Sequence, residues 1–382
     1  MRVVHVTHGV VPYQTPLFNA IGSRMDLHVV YMSPPSTGTS EGTWSSFSDP
    51  WGAAPTFDHS YAPGRSISIL SLDFLATLPR RLGPLLDRLK PEAASVYSWS
   101  LGCASAVSWA QRHDVASMMW TESSEWSGLL RDPVSNAYRR RLIRLCDAHL
   151  TVGPAARAYA LKLGAREGTC VEACLPSTRP VAESRTRREV RGRRPLRILW
   201  VGRLVDRKRP QLAVEAFSRA VGEMGDATLT IVGDGPLESR VRKAASRATG
   251  PVEVLGRVDG DELAAVYDRH DVLIVTSVRE VWGLVVNEAL ERGLYVISSD
   301  QVGSALSLLE NPTGRIVRAD DVEGFAGALK EAIATPRSRT VDASPRRIGE
   351  CTVDAFADSY VRAMNLAVTR HADGVRASIA GG

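Results

Sequence analysis

The stretch Arg279-Glu-Val-Trp-Gly-Leu-Val-Val-Asn-Glu-Ala-Leu290 follows the apolar run DVLIVTS (271–277), and its reading decides the fold of the second half of the chain. A short apolar run bounded by polar residues predicts a buried strand, and VNEALERG (286–293) predicts the helix after it. Gly283 stands where the two meet. A glycine there lets backbone approach a ligand closely, and the amides of Trp282, Gly283, Leu284 and Val285 at a helix start have no intrahelical acceptor, so they make an anion site. Glu280 lies in the loop before that terminus and Glu288 about one and a half turns inside it. Carboxylates accept from paired hydroxyls, so a ligand with a sugar at each end of a diphosphate satisfies both glutamates and the amides together.

Outward from this stretch, strand and helix patterns alternate. LRILWVGRL, ATLTIVGDG, VEVLGRV, DVLIVTS and LYVISS read as strands, and PQLAVEAFSRA, LESRVRKAAS and DELAAVYDRH as helices between them. Gly202, Gly233, Gly235 and Gly256 fall at the carboxyl ends of strands, the edge where open α/β sheets bind ligands. Gly202, Gly233 and Gly235 are donor-side candidates on that ground, although Gly233 and Gly235 are equally explained by a tight turn between strand and helix. The first half has the same rhythm: RVVHVTH, DLHVVYMS, EAASVYSW (92–99), ASMMWTES (116–123) and AHLTVG (148–153) read as strands. Between them, PSTRPVAESRTRREVRGRRP is almost without apolar residues and rich in Arg and Pro, a domain boundary. The expected organisation is a domain over 1–175, a linker over 176–195, a second domain over 196–350, and a helical tail over 351–382 that crosses back to the first. The expected class is α/β, two doubly wound parallel-sheet domains facing a central cleft. Neither a dinucleotide fingerprint nor a P-loop occurs: GDGPLES lacks the third glycine and follows an interior strand.

Composition agrees with this organisation. The 382 residues are 44% hydrophobic and 23% charged, an ordinary globular balance long enough for two cores. The formal net charge of +5 is modest, and of 47 basic residues only Lys90, Lys162, Lys208, Lys243 and Lys330 are lysines. That bias suits GC-rich coding better than nucleic-acid binding, for which an aromatic-interleaved basic stripe is missing. The five cysteines are odd in number and mostly set in apolar sequence, which suits reduced core thiols; Cys170 and Cys174 lack a second pair at metal-ligand spacing. No apolar run reaches the roughly 18 residues of a membrane span, and MRVVHVTHGVVPY is too short and interrupted for a signal segment, so the expected location is cytoplasmic.

EVWGLVVNEA resembles the E-x7-E signature of retaining glycosyltransferases of family 4, which have the GT-B fold of two Rossmann-like domains. The resemblance extends upstream over roughly 130 residues: VGRLVDRKRP is similar to the family's G-R-L-x-x-x-K element, TIVGDGP to its Gly-rich turn, and VLGRV to its base-recognition strand end. The resemblance implies that Arg203 and Lys208 clamp the donor diphosphate, that the backbone around Arg257 and Val258 holds the base, and that Glu288 holds the ribose hydroxyls. It places Glu280 on hydroxyls of the transferred sugar, with Gly283 and Leu284 offering amides. The co-substrate is then a nucleoside-diphosphate sugar. No cofactor and no metal are expected, since an Arg and a Lys neutralise a diphosphate leaving group and no Asp-x-Asp pair is needed.

In the first half, His8 and Gly9 follow the first strand where the family has a Gly-rich acceptor loop, with one Gly here in place of a pair. VPYQTPLF, with Tyr13, resembles a subset of the family; Pro12 and Pro16 fix that loop. Glu122 and Glu125 in MWTESSE follow a strand and are acceptor-side candidates, because a carboxylate orders or deprotonates an acceptor hydroxyl. The expected acceptor is a hydroxyl of a glycan, a lipid-linked sugar or a small natural product. NAYRRRLIRLCDAHL predicts a helix with Tyr138, Leu142, Leu145, Cys146 and His149 on one face and Arg139, Arg140, Arg141 and Arg144 elsewhere; these arginines form a solvated face or, alternatively, a peripheral contact with the inner membrane surface. Two rival functions stand beside the transferase: a sugar-nucleotide epimerase of the same fold, and a non-catalytic nucleotide-binding partner of another transferase. The loop SSDQVGSALSLLE departs from the family, with Val302-Gly303 where many relatives have Gly-Gly and Leu306 where a Glu often stands.

Overall fold

A computed structural model describes residues 1–11, 13–32, 54–62, 65–66, 77–78, 81–127, 133–178, 195–222, 226–258, 260–334 and 346–380. Most of the Arg/Pro-rich linker, over 179–194, and Pro12 lie outside the described residues. The chain forms two compact units, Met1–Thr178 with Thr352–Gly382, and Arg179–Cys351.

The first unit runs β1 (Arg2–Thr7), α1 (Gln14–Gly22), β2 (Asp26–Tyr31), β3 (Asp58–Tyr61), β4 (Arg65–Ser66), β5 (Thr77–Leu78), α2 (Leu82–Leu89), β6 (Ala93–Tyr97), α3 (Leu101–Arg112), β7 (Ala116–Thr121), α4 (Pro133–Leu145), β8 (Ala148–Val152), α5 (Gly153–Leu163) and β9 (Cys170–Ala173). Its parallel sheet has the order β3-β2-β1-β6-β7-β8-β9; β4 and β5 form a separate antiparallel pair. The second unit runs β10 (Leu196–Val201), α6 (Pro210–Val221), β11 (Ala227–Val232), α7 (Glu238–Ala245), β12 (Val252–Gly256), α8 (Gly260–Asp268), β13 (Val272–Val275), α9 (Leu284–Glu291), β14 (Tyr295–Ser299), α10 (Gly303–Leu308), β15 (Gly314–Val317), α11 (Val322–Ala334) and α12 (Arg346–Glu350). Its six strands, all parallel, have the order β12-β11-β10-β13-β14-β15.

Helices on both faces explain why the central strands read as apolar runs: every residue of β7, β8 and β13 is buried. The edge strand β12 alternates between exposed and half-buried positions. In each unit the chain builds outward from the first strand in one direction, then returns to its other side. β1/β6 and β10/β13 are therefore topological switch points, where the loops after adjacent strands part and leave room for a ligand.

The last helix, α13 (Val353–Ala380), belongs to the first unit. It buries Phe356, Ala357, Tyr360, Ala363, Met364 and Ala367, spacings of three and four that make one apolar stripe. Arg24, two residues beyond α1, ties it down through Asp354 (2.7 Å) and Asp358 (2.8 Å). Beneath it, His5 Nδ1 lies 2.6 Å from Ser95 Oγ, which also meets the Tyr360 hydroxyl.

Several expectations need correction. The helix drawn through His149 ends at Leu145; His149 sits buried in β8, its Nε2 donating to the Ile143 carbonyl at 2.9 Å. Arg139 is not on a solvated face: it is buried and donates to the Tyr159 hydroxyl at 3.0 Å, whereas Arg140, Arg141 and Arg144 are exposed. Cys103, Cys146 and Cys170 are free thiols, but Cys174 and Cys351 are each half-cystines, so the expectation of reduced thiols fails at those two positions. Among the described residues no helix is long and apolar enough to cross a membrane.

Candidate active site

In the second unit the loops after β10 and β11 touch. A Cβ on Gly233, at φ +135°, would stand 1.9 Å from the Gly202 carbonyl oxygen, so no side chain fits between these turns. Gly235, at φ +148°, is closed off in the same way: a Cβ there would stand 2.7 Å from the Leu204 carbonyl oxygen and 2.9 Å from its nitrogen. The chain on either side of Gly235 is bonded to Leu204, whose N donates to the Asp234 carbonyl at 2.7 Å and whose carbonyl accepts from Leu237 N at 3.0 Å. Each of these glycines lacks a side chain because the backbone of the β10 loop lies against it, and both remain at the carboxyl edge where the sequence placed them as donor-side candidates.

The loop after β10 runs on through Leu204, which is buried, to a single tight turn at Asp206–Lys208. Arg209 closes it in the left-handed region at φ 49°, directly before Pro210 opens α6. An arginine there costs conformational energy that its surroundings must offset. They do so from the adjacent strand: Thr276, just past β13, has its hydroxyl 2.9 Å from both the Lys208 and Arg209 carbonyls and accepts from Trp200 Nε1 at 3.0 Å. Val278 N donates to the Arg207 carbonyl at 2.9 Å. The switch point thus holds the lysine loop in place.

Glu280 belongs to the loop after β13. Its backbone pairs with the loop after β14, with N donating to the Gln301 carbonyl at 3.1 Å and a bridge to Val302. Its carboxylate forms an ion pair with Lys208 and lies 3.6 Å from Arg207. Gly283, at φ 96°, is the residue before α9, and Leu284 and Val285 open the helix with no intrahelical acceptor for their amides. The Ser304 hydroxyl braces the turn on the Trp282 carbonyl at 2.7 Å and the Gly283 carbonyl at 2.9 Å. Gly303, in the departing Val302-Gly303 pair, serves packing: a Cβ there would come within 2.1 Å of the Val281 carbonyl. The Trp282 ring is buried and donates to Asn287 Oδ1 at 3.0 Å, so Trp282 contributes to the terminus through backbone alone.

Glu288 is buried on α9, and the Tyr267 hydroxyl of α8 donates to its Oε2 at 2.8 Å. Arg203 is exposed just beyond β10, and Arg257 is exposed just beyond β12 with Val258 half-buried beside it. All the predicted donor-side residues therefore lie on one carboxyl edge of one sheet, with Gly233 and Gly235 there as packing elements. Lys208 and Glu280 are brought into contact; Glu288 is held by a partner that sequence reading missed.

In the first unit, half-buried His8 and Gly9 follow β1, and Tyr13 directly precedes α1. Tyr13 donates to Glu122 Oε1 at 3.5 Å, and Tyr97, the last residue of β6, hydrogen-bonds with both. Burial first, and then the Glu122 charge, raise both phenols above their ordinary range, so they stay protonated as donors. Ser98 follows with a positive φ of 85°, a strained backbone at the same edge. Glu125 is not part of this cluster; it is exposed and ion-pairs with Lys162 on α5. Tyr97 was hidden because YSWS reads as a strand end and nothing local marks its partners.

Residues 195–335 match the family model described as Glycosyl transferases group 1. The chain is 27% identical over 259 residues to the "Glycogen synthase" of Mycobacterium tuberculosis (strain ATCC 25618 / H37Rv), 65% of this chain and 61% of that protein. It is 29% identical over 172 residues to the "Lipopolysaccharide core biosynthesis glycosyltransferase LpsE" of Rhizobium meliloti, 43% of this chain and 48% of that one. The chain thus spans about 61% of the length of the first relatives it matches. Among solved structures, "lipopolysaccharide outer core galactosyltransferase WaaB apo form" superposes with a TM-score of 0.73 at 16% identity, covering 95% of this chain and 99% of that one. Anabaena Alr3699/HepE in complex with UDP superposes with a TM-score of 0.62 at 13% identity over 100% of both chains. The fold is therefore GT-B.

Proposed function

We propose that the chain is a retaining, metal-independent glycosyltransferase that moves a sugar from a nucleoside-diphosphate sugar to an acceptor hydroxyl. The observation that carries this reading is the meeting of Lys208 and Glu280 at the β10/β13 switch point, beside the start of α9. Two motif residues from distant segments converge where a diphosphate fits a helix terminus. That residues 195–335 match group 1 glycosyltransferases, and that HepE is described in complex with UDP, supports the same donor class.

In this reading Arg203, Lys208 and the amides of Gly283, Leu284 and Val285 take the diphosphate. Lys208 exchanges the Glu280 carboxylate for a phosphate oxygen. Glu280, now like-charged with its neighbour, turns to accept from hydroxyls of the transferred sugar, and Glu288 accepts from the ribose. As the glycosidic bond to the phosphate breaks, charge grows on the oxygen that Lys208 and Arg203 face, so their attraction is strongest in the transition state. The acceptor attacks from the face that the diphosphate leaves, which retains the anomeric configuration. Glu122, held by Tyr13 and Tyr97, with His8 past the end of β1 on the far side of β6, orders the acceptor hydroxyl.

Turnover of a panel of nucleotide sugars in EDTA, with proton NMR of the first-formed product, tests this reading. A retained linkage made without metal supports it. An inverted linkage, or activity and nucleotide binding that vanish with EDTA and return with Mg²⁺, contradicts it.

A further inference from the structure

Tyr267, near the end of α8, and Glu288, on α9, are both buried, at 1% and 4% exposure. The phenol donates to Glu288 Oε2 at 2.8 Å. Arg292, one turn beyond Glu288, lies with its guanidinium 5.6 Å over the Tyr267 ring and donates to the Glu288 carbonyl at 3.1 Å. Its side chain is only 5% exposed, and Asp268, the residue after Tyr267, stands 3.9 Å away. The phenol is thus gripped by packing and by a cation over its face.

We propose that Tyr267 is a positioning residue that makes the nucleotide site select ribose over deoxyribose; this rests on reading Glu288 as the ribose carboxylate. The terminal torsion of a glutamate is broad, so an unrestrained carboxylate samples many orientations. A vicinal diol needs one of them, with the carboxylate plane set to accept from two neighbouring hydroxyls. The phenol uses one of about four acceptor positions on the carboxylate and fixes that plane. A nucleotide without the hydroxyls forgoes the bonds to that oriented carboxylate, and a site built to hydrogen-bond a hydroxyl disfavours the analogue that lacks it. Without the phenol the carboxylate loses that restraint, and the diol is rewarded less.

Calorimetry on the wild type, Tyr267→Phe, Glu288→Ala and the double variant tests this. UDP, GDP and ADP are compared first, and then the tightest of them with its 2′,3′-dideoxy form. The wild type should bind the dideoxy form roughly 10- to 100-fold more weakly. Tyr267→Phe keeps the ring and its packing, and should shrink that ratio to within about threefold while adding nothing in the Glu288→Ala background. Tyr267→Met, a flexible filler, gives the same contrast should the Phe variant unfold early. A Tyr267→Phe protein that keeps the wild-type ratio, or weakens both nucleotides equally, overturns the positioning role and leaves the ribose reading of Glu288 standing. A wild type that binds both forms equally overturns the ribose reading, and the role of Tyr267 with it.

Discussion

Lys208 and Glu280 form an ion pair with side chains only 13% and 11% exposed, joining the loop after β10 to the loop after β13. Two opposite charges so shielded attract more strongly than a surface pair, and either one alone is left largely desolvated. In the proposed reading, this carboxylate holds the cation that a donor diphosphate would claim.

Lys208→Ala should therefore do two things. Loss of the cation that meets the growing charge on the leaving group should lower kcat/KM by about 2–4 kcal/mol, roughly 30- to 1000-fold. Loss of the partner of Glu280 should also cost about 1–3 kcal/mol of stability, read as a lower Tm, because Arg207 remains only at 3.6 Å. Lys208→Arg should remain impaired, since a planar fork does not replace a point ammonium in a loop held by Thr276. Wild-type kinetics in Lys208→Ala would remove the lysine from the mechanism.

Gly233→Ala should destabilise the second unit by about 3 kcal/mol or more, because the new methyl would stand 1.9 Å from the Gly202 carbonyl at a φ that side chains rarely adopt. Thermal unfolding reads the loss. Gly256→Ala is the control: its φ is +80° but its Cβ meets nothing within 4 Å, so its cost should be smaller. Equal losses would show that backbone conformation, not the crossing of the loops, dominates.

The pH dependence of stability has a stated sign. Burial lowers His5 from 6.5 to about 3. Between those values the unfolded chain binds a proton that the folded chain refuses. The contribution is complete above 6.5 and is lost as pH falls toward 3, at up to about 1.4 kcal/mol per unit. His28 and His149 are also lowered, mainly by burial, and act in the same direction. His5→Gln should flatten the slope of denaturant stability between pH 6.5 and 4; an unchanged slope would place the acid sensitivity elsewhere.

The two-sheet fold was legible because central parallel strands are buried on both faces and write continuous apolar runs. Strands β3 (DHSY), β9 (CVEA) and β15 (GRIV) escaped, being four-residue strands at or near sheet edges without such a run. LCDAHL continues a helical spacing and so suggests a helix through His149; the chain instead turns at Cys146 and enters β8. On the donor side every motif residue stands at the expected sheet edge, since each motif is local. Which neighbour requires a glycine there was not legible: Gly233 and Gly235 face the backbone of the β10 loop, some thirty residues away in sequence. The partners of the charged residues were hidden in the same way, for Thr276 under Lys208, Tyr267 on Glu288 and Tyr97 beside Glu122 are joined only through the fold. Glu125 lies apart from Glu122 for the converse reason, because four residues beyond the end of β7 the chain has already turned away toward Lys162.

The central claim is that Glu280 and Glu288 serve opposite ends of one nucleotide sugar, and calorimetry with the bare nucleoside diphosphate on Glu280→Ala and Glu288→Ala tests it most directly. Glu288→Ala should weaken binding roughly 10-fold or more, because the ribose is present in that ligand. Glu280→Ala should bind as well as the wild type or more tightly, since Lys208 is released to the phosphates, yet turn over the intact sugar nucleotide poorly. Equal losses in the two variants, or no loss in either while both remain folded, would contradict the account.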